Sequence, residues 1–203
     1  ALLGDDGKLI DDIAAAAADL KPRFIAVAGT PIPAMTGFDF DAVAQLIEAR
    51  TGIPAFGFPT TGMNTYVSGA SMAFEALVRR FTDRDAVKTE NPSANILGLT
   101  PLDFSVNGAD RAIAEFLEHS GFQVLSRWAM GSTLEDLARA GSAHVNLVVS
   151  ATGLAAAKAL QALFGTPYVI GIPMGEKHGQ LLLDALKNAA ATGENGFPVG
   201  TMT

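Results

Sequence analysis

Few side chains in this sequence can do covalent or metal chemistry. There is no cysteine, and the imidazoles are His119, His144 and His178. They fall at a helix end, at a strand start and in a late loop, with no i,i+4 pairing among themselves, so they do not read as a metal site. His178 is the best placed of the three. It is expected in a loop at the carboxyl end of a strand, beside Glu176 and Lys177 and between two glycines, where it can touch a ligand. No G-x-S-x-G elbow supports Ser/His/Asp catalysis. No Walker loop and no G-x-G-x-x-G follows a strand, so nucleotide binding is not indicated. What remains is loop chemistry. Gly29, Thr30, Gly37 and Asp39 lie in one loop, Thr60, Thr61, Gly62 and Asn64 in a second, and Thr152 in a third. Hydroxyls and backbone amides just ahead of a helix suit an anion. The plainer reading is that Gly62 and Gly69 serve a tight turn, that Thr60 and Ser68 cap a helix, and that Asp39 or Asp41 caps another.

The elements that must position these loops follow from periodicity. Six β-branched or apolar runs predict strands over 24–28, 55–58, 95–99, 122–126, 145–150 and 168–172. Between them apolar residues recur at three and four: Val43, Leu46 and Ile47; Met72, Phe74, Leu77, Val78 and Phe81; Ile113, Phe116 and Leu117. Ser132 and Glu135 predict a capping box with a helix from about Thr133, and Gly165 followed by Pro167 predicts a helix stop. A last helix is expected near 180–187. Strands alternating with helices imply βαβ crossovers and parallel sheets, hence an α/β fold of two Rossmann-like units. The polar stretch 85–92, ending in Asn-Pro, marks the expected boundary. It gives a partial unit over 1–90, a complete one over 91–190 and an irregular tail over 191–203. In such sheets ligands gather beyond the carboxyl ends of the strands.

Composition narrows the function classes. The chain is 49% hydrophobic and 17% charged with a formal charge of −7. That mix is globular, and the negative charge with no basic cluster beyond Arg79-Arg80 argues against nucleic acid as a partner. Lack of cysteine removes disulfides and thiolate ligation by this chain. No apolar run reaches about 20 residues, so no membrane span is expected. The Ala14–Ala18 run is flanked by Asp11, Asp12 and Asp19 rather than by a basic start, so it reads as a helix face and the protein as cytoplasmic.

Several stretches, in order, resemble nitrogenase component 1, a family that includes the dark-operative protochlorophyllide reductase subunits and cofactor-assembly scaffolds. They are Lys21-Pro22-Arg23-Phe24-Ile25-Ala26-Val27 with Gly29-Thr30; Gly37-Phe38-Asp39 before a helix; Thr51-Gly52-Ile53-Pro54; and the Gly62 to Gly69 loop. Asn95–Leu99, Gly131–Leu137, Ala143–Val148 and Phe164–Tyr168 continue the series. The resemblance implies that the residue after Thr30 should be a cysteine bound to an iron–sulfur cluster. Pro31 stands there, so the cluster-ligand position is lost. Phe38 likewise replaces the first of a paired aspartate, and the family's N-terminal domain is missing from these residues.

Three functions follow as expectations. The resemblance implies an oxidoreductase subunit or domain that binds a substrate or metallocofactor in the cleft between its two units. Any cluster or metallocofactor would be shared with a partner, in a homo- or hetero-oligomer with a nitrogenase-like subunit, fed by an ATP-dependent reductase. The second is a redox-inactive scaffold for a small molecule, tetrapyrrole or cofactor precursor. The third is a purely structural subunit. No cofactor is expected on this chain alone, and no catalytic residue is evident in it.

Overall fold

Helix α1 (Asp6–Leu20) leads into strand β1 (Ile25–Ala28), followed by the short helix α2 (Pro31–Met35), helix α3 (Phe40–Thr51) and strand β2 (Ala55–Phe58). Strands β1 and β2 pair in parallel, Ile25 opposite Ala55 and Ala28 opposite Phe58, with α3 as their crossover. The side chain of Asp39 starts α3 by accepting the Ala42 N–H at 2.9 Å. Gly52, at φ 70°, ends it in the left-handed conformation that glycine adopts at no steric cost. Val43 and Ile47 pack with Ile10 against Ile25, Val27 and Ala55. Leu46, expected on that face, is instead 55% exposed. The buried stripe runs through Phe40, Val43, Ala44 and Ile47, and position 46 lies beyond its edge.

These elements belong to the first of two compact units, residues 1–69 and 70–203. The computed structural model describes residues 6–198. The division falls after Gly69 rather than near residue 90. Helix α4 (Tyr66–Phe81) gives Phe74 and Val78 to the second unit's core. The connection after it is also bonded there, Asp83 N–H to Ala138 O at 2.9 Å and Thr89 N–H to Ser142 O at 3.2 Å.

The second unit continues with β3 (Ser93–Leu97), α5 (Pro101–Phe104), α6 (Ala109–His119), β4 (Gln123–Trp128), α7 (Leu134–Ala138), β5 (Val145–Val148), α8 (Leu154–Phe164), β6 (Tyr168–Ile170) and α9 (Gly175–Thr192). The four strands are parallel in the order β4-β3-β5-β6. All five residues of β3 are buried, as a central parallel strand requires. Alternate residues serve opposite faces. Ala94, Ile96, Val145, Leu147 and Val169 pack with Ile113 and Leu117 of α6 and Leu182 and Leu186 of α9. Leu97, Val148 and Trp128 pack with Phe74 and Val78 of α4 and Ala156, Ala157 and Leu160 of α8. The six strands match the expected ones to within two residues at each end.

Three local expectations change. The capping box is one residue later, with Thr133 as cap and Asp136 as its partner. The last helix runs over 175–192, which places His178 inside α9 rather than in a loop. Trp128 is 1% exposed within the second unit's own core, its ring edge-on to Phe74 at 6.3 Å. Of the predicted tail, 191–192 are helical and Gly196 bridges Val169, while 199–203 lie outside the described residues. Among the described residues no helix is long and apolar enough to cross a membrane.

A polar network crosses the buried sheet. Asn95 Nδ2 donates to Ala140 O at 2.9 Å and to Asn146 Oδ1 at 2.8 Å. Its Oδ1 accepts from Ser126 Oγ at 2.7 Å, and Ser126 Oγ in turn accepts from Trp128 Nε1 at 2.7 Å. Asn95 and Asn146 face one another across adjacent strands, so the bonds fix strand register. Substituting Asn95→Ala leaves the groups it bonds buried and unpaired. The expected loss is about 2–3 kcal/mol of unfolding free energy, read as a lower denaturation midpoint at unchanged slope.

Candidate functional site at the carboxyl ends of the strands

In the first unit the loops after β1 and β2 meet. Gly29 N–H donates to Phe58 O at 3.0 Å, and Thr60 Oγ1 donates back to Gly29 O at 2.8 Å. A Cβ on Gly29 would lie 2.2 Å from Thr60 O and 2.6 Å from Phe40 Cζ, so this residue must be glycine for the loops to close. Gly62 packs on Pro31, whose Cδ lies 3.3 Å from where a Cβ would stand. Thr61 Oγ1 accepts the Met63 N–H at 3.1 Å. Thus Asp39, Thr60 and Thr61 spend their polar atoms on the loops themselves, as the plainer reading had it for Asp39. Gly37, at φ 74°, turns the chain in open space. Thr30, at the cap position of α2, makes no side-chain cap hydrogen bond, and Asn64 is exposed. Around them the rim is apolar: Ile32 is 75%, Met35 86% and Met63 82% exposed.

In the second unit the loops after β3 and β5 interlock. Ser150 Oγ donates to Gly98 O at 2.9 Å and lies 2.6 Å from Thr152 Oγ1. Thr152 is fully buried, so its hydroxyl serves the loop junction. Gly98 and Gly153 are the residues that sequence reading missed. The signal was a glycine directly after a strand and another directly before a helix. Exposed apolar side chains stand at this end too, Leu102 and Val106 after β3 and Met174 after β6. His178 is half-buried, one helical turn into α9. His119 caps its own helix, its Nδ1 2.8 Å from Glu115 O, and His144 lies at the opposite, amino end of the sheet.

A cavity of about 330 Å³ lies along the outer edge of β4, lined by Arg111, Glu115, Arg127, Ser132, Asp136 and Arg139. Its charges are largely matched, Arg127 to Asp110 at 3.1 Å and Arg139 to Asp136 at 2.6 Å. The Thr133 N–H, with Arg139, holds the Asp136 carboxyl below its usual range. Neither ion pair leaves a net charge for a ligand.

The donor set tests the fit of an iron–sulfur cluster. The turn that would hold its ligand offers a proline ring, hydroxyls and carbonyls, none of them a thiolate. Among the described residues no three His, Asp or Glu side chains gather as metal ligands. These residues do not fit a cluster.

The family model described as nitrogenase component 1 type oxidoreductase matches residues 1–196. A subunit of the light-independent protochlorophyllide reductase from Prosthecochloris aestuarii is 30% identical over 161 residues, 76% of this chain and 29% of that protein. The nitrogenase iron-molybdenum cofactor biosynthesis protein NifE of Clostridium pasteurianum is 26% identical over 170 residues, 83% of this chain and 36% of that protein. Among solved structures, nitrogenase Cp1 at pH 6.5 shares the fold with a TM-score of 0.72 and 22% identity, over 94% of this chain and 39% of that one. The chain therefore spans about a third of the length of the curated relatives it matches.

The loop geometry separates two glycines that look alike in sequence. Gly29→Ala should cost about 3 kcal/mol, the upper range of overpacking. Gly37→Ala, in open space at positive φ, should cost about 1 kcal/mol. Denaturation of the two variants measures the difference, and equal losses would refute the steric account.

Proposed function

The chain belongs to the nitrogenase component 1 type oxidoreductases, and on that premise we propose that it is a ligand-holding and subunit-docking part of such an enzyme. In this reading the redox centre is held by groups other than its own side chains. The observation that carries it is the contrast at the carboxyl-end loops, which are apolar and methionine-bearing at the rim but without a thiolate. Exposed Ile32, Met35 and Met63 on one unit, and Leu102, Val106 and Met174 on the other, form surfaces that soluble monomers rarely leave bare. Methionine adapts to irregular apolar partners. The ligand class is a large, mostly apolar substrate or a metallocofactor. Two relatives' names support it, one a protochlorophyllide reductase subunit and the other an iron-molybdenum cofactor biosynthesis protein. The partner is a related subunit of the same family, with an ATP-dependent reductase as the electron source.

One observation favours a second reading. Every polar group tied down at Gly29, Thr60, Ser150 and Thr152 serves loop closure, and none is presented as an acid or base. A redox-inactive scaffold for a tetrapyrrole or cofactor precursor needs no more than this.

Anaerobic purification from the native host, with iron analysis and a visible spectrum, distinguishes the readings. Iron at several atoms per complex, with absorbance near ~400 nm of the thiolate-cluster kind, is expected for the oxidoreductase part. A colourless, iron-free complex that takes up no electrons from a reductase would leave the scaffold. In the same preparation, the double substitution Ile32→Asp and Met63→Asp should cut the co-purifying subunit at least tenfold, a loss of about 1.4 kcal/mol or more. Its circular dichroism should stay unchanged. Undiminished co-purification would remove this rim from the docking surface.

A further inference from the structure

We propose that His144, Ser93 and Thr89 form a proton-operated latch that holds the connection 83–92 against the amino ends of β3 and β5. His144 immediately precedes β5 and Ser93 opens β3, the neighbouring strand. The backbone joins them first, His144 N–H donating to Ser93 O at 2.9 Å. The ring then closes the junction. Its Nδ1 lies 3.3 Å from Ser93 N and 3.1 Å from Ser93 Oγ. A backbone N–H can only donate, so Nδ1 must be the acceptor and the ring the neutral tautomer protonated on Nε2. Ser93 is fully buried, which makes the loss of its partner costly.

The connection hangs on this junction. Thr89 Oγ1 lies 2.6 Å from Ser93 Oγ, and Thr89 N–H donates to Ser142 O at 3.2 Å. Beside it, Lys88 Nζ donates to Ala143 O at 2.5 Å, Thr166 Oγ1 at 2.6 Å and Gly141 O at 3.2 Å. Three N–H bonds meet three oxygens, so the ammonium is fixed in place. The charged group facing the ring is Lys88, from the connection. Ser93 of β3 and Thr89 meet the ring's side of the junction without charge. Burial holds the His144 imidazole below its ordinary value, and the Lys88 cation acts the same way. Burial lowers Lys88 as well.

Taking a proton on Nδ1 sets a donor against the Ser93 N–H and a second cation beside Lys88. Both effects push the connection off the sheet. Because the folded value lies below the unfolded one, the stabilisation is complete above about pH 6.5 and is lost as pH falls through the folded value.

The test follows the full 203-residue chain by NMR over pH 7.5 to 4.5, reading the imidazole signals and the backbone amide exchange together. Exchange is corrected for its intrinsic pH dependence. The expected result is a His144 midpoint below the ordinary imidazole value, with at least tenfold loss of protection at Thr89 and Ser93 across that same midpoint. Leu147, in the core of β5, should stay protected. His144→Gln should remove the step. Unchanged protection of Thr89 and Ser93 on both sides of the ring's titration overturns the latch, and so does a full step persisting in His144→Gln.

Discussion

A Cβ placed on Gly153 would stand 2.5 Å from the carbonyl carbon of Leu97 and 2.7 Å from the nitrogen of Gly98. No side chain fits there, and the second unit is arranged around that backbone-on-backbone approach. It lets the end of β5 turn directly across the end of β3, with Val149 N–H donating to Leu97 O at 2.9 Å. Helix α8 then starts directly after the short turn Ala151–Gly153, close against the sheet, so that small residues, Ala156 and Ala157, can be buried completely beneath it. Larger residues at those positions would lift the helix away. The alanine-rich composition of α8 is thus a consequence of the glycine that precedes it. Gly29 does the same in the first unit, where the ring of Phe40 and the carbonyl of Thr60 occupy the space a side chain would need.

The two ends of the second unit's sheet are built from opposite materials. At the amino end the face toward α8 is polar and closed. Asn95, Asn146 and Ser126 bond to one another, and Lys88 and Thr166 bind the carbonyls of the preceding turn. Most of these buried polar groups bond to one another, though Asn146 Nδ2 is buried without a partner among the described residues, and such a network suits register and rigidity. At the carboxyl end hydrogen bonds hold the loop bases, and beyond them Leu102, Val106 and Met174 face solvent. A rigid end and an adaptable apolar end on one sheet match the general rule that loops on a fixed scaffold carry function.

What the sequence made legible was the periodic part. Strands with β-branched runs and helices with three-four spacing were visible because burial on a pleated or helical surface imposes those periods. What periodicity could not show was contact remote in the chain, such as that of Trp128 with Phe74, more than fifty residues earlier. His178 looked like a loop residue because Pro173 and Gly175 precede it. Yet Gly175, at φ 69°, only opens the helix that already contains it. The loop glycines and threonines were singled out by residue type and by their place after a strand. Their spacing could not say whether a hydroxyl faces outward or back onto its own loop. The amino-end cluster of Lys88, Ser93 and His144 was invisible as a unit, because its members lie on three segments.

Pro31 fits its place in the fold by chemistry unlike that of a metal ligand. The family resemblance puts a cluster-binding cysteine after Thr30. Here that residue is the first of α2, where a missing N–H costs nothing and a fixed φ favours the turn. The turn closes without it, through Ala34 N–H to Thr30 O at 3.2 Å and Phe38 N–H to Pro33 O at 3.1 Å. The ring then fills the space against Gly62 that joins the two loops. Proline here gains local order at the junction and offers no ligand atom. Returning a thiol to position 31 would therefore loosen the turn while supplying one of the several thiolates a cluster needs.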